Sequence, residues 1–160
     1  RSIVREAEGL MALGVERVVT GGLDADGLPD LDLLAMLDQA IGLDAVVFHR
    51  AVDEVEATVD CAAIFRDAGI KAVLTSGGAA KAVDGLERIR QWSNSGLLVV
   101  GGAGVKPAHA QALVEAGVEA VHASCRMAVE QQGPDRLFDR SRTAVCTAQV
   151  SELVEAVRSI

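Results

Sequence analysis

Two stretches of this 160-residue chain place reactive side chains directly after short apolar runs. In "AVVFHRAVDE" (45–54), His49, Arg50 and Asp53 follow the apolar segment within five residues. An imidazole there suits general acid–base work or soft-metal ligation, and a guanidinium suits clamping an anion. The plainer alternatives are a hydrogen-bonded core imidazole for His49 and a loop-closing pair between Arg50 and Asp53. Consecutive strand residues point to opposite faces, so within a strand only one of His49 and Arg50 faces a given site. A second imidazole, His122, also ends an apolar run, with Ser124 two residues on.

Gly-rich turns supply a different chemistry. "TSGG", Thr75, Ser76, Gly77 and Gly78, and "GGAG", with Gly102 and Gly104, present backbone N–H groups ahead of helical segments. That arrangement cradles phosphate, and with Ser124 these residues are the expected anion-binding set. The alternative is that glycine merely permits a tight turn. Three cysteines, Cys61, Cys125 and Cys146, are widely spaced and form no CxxC. Cys61 falls in an apolar helical stripe and reads as core, and Cys146 has no visible partner. Cys125 beside "HAS" is the candidate ligand for a soft ion such as Cu(I).

The elements that must position these groups are written as a near-repeat. "ALGVERVVTGG" (12–22), "DAGIKAVLTSGG" (67–78) and "EAGVEAVHAS" (115–124) each read as a helix end, a glycine cap and a strand. Apolar strand centres at Val18, Val46, Val73, Val99 and Val121 recur at intervals of 28, 27, 26 and 22 residues. Amphipathic stretches at 30–41, 54–68, 106–117 and 148–160 lie between and after them. Alternation at this period means βαβ units and a parallel sheet. A flavodoxin-like open sheet and part of a (β/α)8 barrel both fit. The opening helical stretch, 1–14, and the unbroken repeat favour the barrel. In either fold, ligands bind beyond the carboxyl ends of the strands, where the polar residues collect.

Composition narrows the class further. Half the residues are hydrophobic and only 2% aromatic, so the core is built from small aliphatic side chains. A net charge of −8 with no basic run leaves no footprint for nucleic acid. No apolar run approaches the roughly 18–20 residues that span a bilayer, so no membrane partner is expected. The odd cysteine count and the absence of a leader point to a reducing cytoplasm. One domain, 1–160, is expected.

At "FHRAVD" (48–53), "VLTSGGAAKAVDGL" (73–86), "VVGGAGV" (99–105) and "GVEAVHAS" (117–124), the sequence resembles the copper homeostasis protein CutC family. "VVTGGLDADGLPDLDLL" (18–34) is similar to that family's fourth strand and following loop. The resemblance implies a (β/α)8 barrel of which this chain supplies strands four to eight, the first three being absent. It implies cytoplasmic Cu(I) binding or trafficking. Five strands cannot close such a barrel, so strand edges are left open, to be covered by another copy in a homo-oligomer or removed by rearrangement of the sheet. The alternative is a barrel enzyme acting on a small anionic or phosphorylated metabolite. In that case His49 or His122 is its acid–base group and Arg50 its charge clamp, with Asp53 in the same catalytic set. Three positions depart from the family pattern: Val52 for a usual Phe, Ala103 within a glycine turn, and Cys125. The family's proposed copper cysteines belong to the absent strands, so copper binding carries over to no residue here.

Overall fold

A computed structural model describes residues 2–128 and 143–160. Five parallel strands form one sheet: β1 (Val18–Thr20), β2 (Val46–Phe48), β3 (Ala72–Thr75), β4 (Leu98–Gly102) and β5 (Ala120–His122). Their spatial order is β1-β2-β3-β4-β5. Each strand therefore pairs only with its sequence neighbours, in registers such as Val18 with Val46, Val73 with Val99 and Gly102 with His122. A doubly wound sheet reverses its strand order at a switch point. The strictly sequential order is that of a barrel wall, which decides between the two folds that periodicity allowed.

The helices are α1 (Ser2–Ala12), α2 (Leu31–Ile41), α3 (Cys61–Ala68), α4 (Leu86–Asn94), α5 (Ala110–Glu115) and α6 (Thr147–Arg158). Local chemistry sets their ends. The Asp30 carboxylate accepts from the Leu33 N–H at 2.9 Å and starts α2, and Asp60 accepts from Ala63 N–H at 3.0 Å and starts α3. Gly69 closes α3 at φ 96°, its N–H donating to the Phe65 carbonyl. The apolar pattern at 54–68 predicts one long helix, yet only its second half is helical. Residues 50–54 form a 3-10 turn instead, anchored by fully buried Val52. Likewise the expected helix at 106 opens as a 3-10 turn, Pro107–His109, before α5. The segment 131–147, whose Gly, Pro and charged residues read as a loop covering or flanking the strand ends, lies outside the described residues up to 142. Its end forms β7 (Thr143–Val145), antiparallel to β6 (Arg126–Ala128).

The sheet has two unequal faces. Val18, Val46, Phe48, Val73 and Val99 pack with Leu34, Leu37, Phe65, Ile89, Trp92 and Leu113 from the helices into the main core. Phe48, Phe65 and Trp92 form a chain of ring contacts with centroids 4.6 and 5.8 Å apart. Burying each such side chain contributes about 1.5–3 kcal/mol. The opposite face carries a smaller cluster, Val47, Ala72 and Leu74, with Leu98 and Val100 partly covered. Its flank at β1 is open, where Val19 is 53% exposed. Cys61 is buried in the main core, as its apolar stripe predicts, and burial pushes its thiol up from its ordinary pKa.

Candidate functional site

At the ends of β2 and β3 the polar groups are consumed by one another. Phe48 is followed by His49, whose Nδ1 accepts from the Ala51 N–H at 3.2 Å and caps the 3-10 turn. Its ring packs edge-on against Phe48. The turn then swings Asp53 back over the end of β3, with its side chain only 4% exposed. There the carboxylate accepts from Thr75 Oγ1 (2.5 Å), Ser76 N–H (3.0 Å), Ser76 Oγ (2.9 Å), Gly78 N–H (2.9 Å) and Arg50 Nε (2.9 Å). Arg50 also donates through Nη2 to Ser76 Oγ at 2.9 Å. Burial alone raises the Asp53 pKa. The hydrogen bonds from Thr75, Ser76, Gly78 and Arg50 outweigh it and hold the carboxyl below its ordinary value.

The "TSGG" turn thus has the donors expected of an anion cradle, and the anion in it is the chain's own. Thr75 and Ser76 are fully buried, and the Gly77 N–H donates to Thr75 Oγ1. Backbone packing explains the glycines. A Cβ at Gly77 would lie 2.2 Å from the Gly85 carbonyl oxygen, and one at Gly85 would lie 2.0 Å from that of Ser76. Gly85 is a structural partner that motif reading missed, because the contact joins two separate turns. Arg88 was missed for the same reason; its Nη2 donates to the Val55 carbonyl at 3.2 Å beside Gly78.

At the ends of β4 and β5 the arrangement is open. Gly104, Val105, Lys106 and Pro107 from the turn after β4 and Ser124, Cys125 and Arg126 from the segment after β5 line one cavity of about 380 Å³. Gln149, Glu152 and Leu153 of α6 close its side. A ligand entering meets an ammonium, a guanidinium, a hydroxyl, a thiol and one carboxylate. Two non-glycine residues here have left-handed backbones, Ala103 at φ 86° and Cys125 at φ 45°. Such strain is stored where surrounding structure enforces it, and it concentrates at binding sites. His122 is exposed on the last residue of β5, opposite Gly102 in register. Of the expected anion-binding residues, Gly104 and Ser124 line this cavity, and Gly102 ends the strand beneath it. Lys106 and Arg126 were not foreseen, though each is the first cation after its motif.

His49 and His122 stand on strands separated by β3 and β4. At about 4.8 Å per strand the sheet holds them on the order of 14 Å apart. A further cavity, about 520 Å³, lies between α3 and α4 on the helical side, lined by Arg66, Arg88, Gln91 and Trp92 among others. Its lining also includes residues 57–60 of the segment after β2, and its Arg88 reaches beside Gly78. Among the described residues no three His, Cys, Asp or Glu side chains gather as a metal site. Cys125 and Cys146 do meet: the Cys146 N–H donates to the Cys125 carbonyl at 2.8 Å. Among the described residues no helix is long and apolar enough to cross a membrane.

The chain matches the CutC family over residues 2–127. A CutC family protein of Xanthomonas campestris pv. campestris (strain B100) is 38% identical over 135 residues, covering 80% of this chain and 55% of that protein. One from Citrobacter koseri is 33% identical, covering 94% and 61%. One from Xanthomonas axonopodis pv. citri is 34% identical, covering 96% and 68%. Among solved structures, a Streptococcus agalactiae protein described as a candidate copper homeostasis protein CutC superposes with a TM-score of 0.65 at 19% identity. It covers 74% of this chain and 60% of its own. A TIM-barrel protein described as native KDPGal gives a TM-score of 0.60 at 18% identity, covering 98% and 65%. These two likenesses establish the fold as part of a TIM barrel. The chain spans between about half and two thirds of the length of the curated relatives it matches.

Proposed function

Because the chain belongs to the CutC family, we propose that it contributes a small-anion site to a barrel mouth, formed by the turns after β4 and β5. The observation that carries this is the convergence of Gly104, Lys106, Ser124 and Arg126 on one cavity at the carboxyl ends of parallel strands. Barrels place ligands at that end, and the loops after the last two strands are the usual phosphate position. Lys106 and Arg126 supply charge, the turn supplies backbone donors, and Ser124 supplies a hydroxyl for orientation. His122 is the exposed imidazole of this mouth and takes the acid–base role. His49, Arg50 and Asp53 hold the neighbouring wall in shape as positioning residues, and Thr75, Ser76, Gly77 and Gly78 serve them as donors. The ligand is a small anionic or phosphorylated molecule.

Calorimetric titration with inorganic phosphate tests the site. Saturable binding that weakens at least severalfold in Lys106→Ala and Arg126→Ala supports it. Heat that is not saturable, or affinity unchanged in both variants, overturns it.

A second reading is favoured by the thiol of Cys125, which lines the same cavity. In it the chain takes part in copper homeostasis by handling Cu(I) as cargo, since soft thiols prefer that ion. Three free cysteines support a reducing, cytoplasmic setting. Apolar side chains at both ends of the sheet support a homo-oligomer: Leu13 and Val19 at one end, Val150 and Val154 at the other. Light scattering on the purified chain checks this, and a monomer at all concentrations overturns it.

A further inference from the structure

The β6–β7 ladder pairs Arg126 with Val145, Met127 with Ala144 and Ala128 with Thr143. One step outward along the same register sets Cys125 opposite Cys146. The backbone bond between them, 2.8 Å, carries the pairing to that rung. Directly opposed residues of an antiparallel pair have Cα atoms about 4.5–5.5 Å apart. Both thiols are free and half-buried. The left-handed backbone of Cys125 is uncommon for a residue other than glycine, asparagine or aspartate. It brings Cys125 to the wall shared by two cavities: the mouth described above, and a groove of about 310 Å³ lined by Val121, Ala123, Val150, Leu153 and Val154.

We propose that Cys125 and Cys146 form a two-thiolate site for a soft monovalent cation, Cu(I) in character, at the rim between the barrel mouth and α6. The inference rests on the copper-handling reading above and names its ligands. Two opposed sulfurs suit a closed-shell ion content with two ligands, whereas hard cations seek several oxygens. The groove beside Cys125 is largely apolar, which disfavours hydrated ions. Uptake of one Cu(I) by two thiols releases two protons and leaves a site of net charge −1. Arg126, adjacent to Cys125, and Arg158, which lines the groove, are the cations at hand to offset that charge.

The test is an anaerobic titration of the reduced chain with Cu(I) against a competing chelator, following ultraviolet thiolate-to-copper absorption, mass and proton release. Cys125→Ser, Cys146→Ser and, as a control, Cys61→Ala are compared with wild type. Trp92 emission verifies that each variant is folded, since that ring lies in the main core away from the hairpin. One Cu(I) bound with two protons released, lost in both serine variants and kept in Cys61→Ala, is the expected result. Uptake retained by either serine variant overturns the pair while leaving copper handling by this chain intact. No uptake by the folded wild type overturns both.

Discussion

The ends of β2 and β3 and the ends of β4 and β5 line the same side of one sheet, yet they treat their polar groups in opposite ways. At the first, a carboxylate carried by the chain fills a turn rich in N–H and O–H donors, and one guanidinium closes it from outside. The donors of that turn are occupied by the chain's own carboxylate. At the second, two cations, a hydroxyl and a thiol face a cavity, and two non-glycine residues hold left-handed backbones around it. The contrast teaches that glycine-rich turns after neighbouring strands become either a rivet or a receptor. The difference is whether a neighbouring loop delivers an internal anion.

The largest effect should come from removing the rivet. Asp53→Asn leaves buried N–H and O–H groups imperfectly paired and Arg50 without its partner, and should cost about 3 kcal/mol in urea unfolding. If the variant is as stable as wild type, the wall is not held by this carboxylate and the contrast collapses. The same group predicts a pH dependence. Its folded pKa lies below its unfolded one, so its stabilisation is complete above about pH 4 and is lost as pH falls through the folded value. The urea midpoint should decline in that acid range, and Asp53→Asn should remove that part of the decline.

Smaller effects sharpen the comparison. Thr75→Val deletes one donor from the rivet and should cost about 1 kcal/mol. On the open side, Ala103→Gly should stabilise by about 0.5–1 kcal/mol, because glycine accepts φ 86° without steric cost. Smallest of all, Lys106→Ala should change stability by less than about 0.5 kcal/mol while weakening phosphate binding. A large loss of stability there would mean that Lys106 is structural and the second region resembles the first.

The wall of the barrel was legible because it is local. Gly14, Gly69 and Gly117 mark helix ends as left-handed caps, at φ 86°, 96° and 88°. The five apolar centres correspond to the five strands, and the near-repeat carried the family resemblance. The false helix at 54–60 shows the limit of periodicity. Val55 and Val59 continue the apolar stripe, yet Asp60 is a good N-cap and restarts the helix there. The site was half legible. His49, Arg50 and Asp53 stand out in sequence, but their meaning depends on donors more than twenty residues away. The opposition of Cys125 and Cys146 was hidden for the same reason. The strands that bring them together are three residues each, too short to show alternation.

Sequential strand order also bears on how the sheet comes into being. Every pairing in it closes a loop of one strand–helix–strand unit, 22 to 28 residues between centres. Closure entropy for such loops is nearly constant, since it grows only with the logarithm of length. No pairing waits on a distant one, so the sheet assembles by accretion, each strand templating the next from whichever neighbour forms first. The middle strand β3, templated from both sides and buried on both faces, then becomes the slowest to exchange its amide protons. The two outermost strands, each held along a single edge, become the first to open.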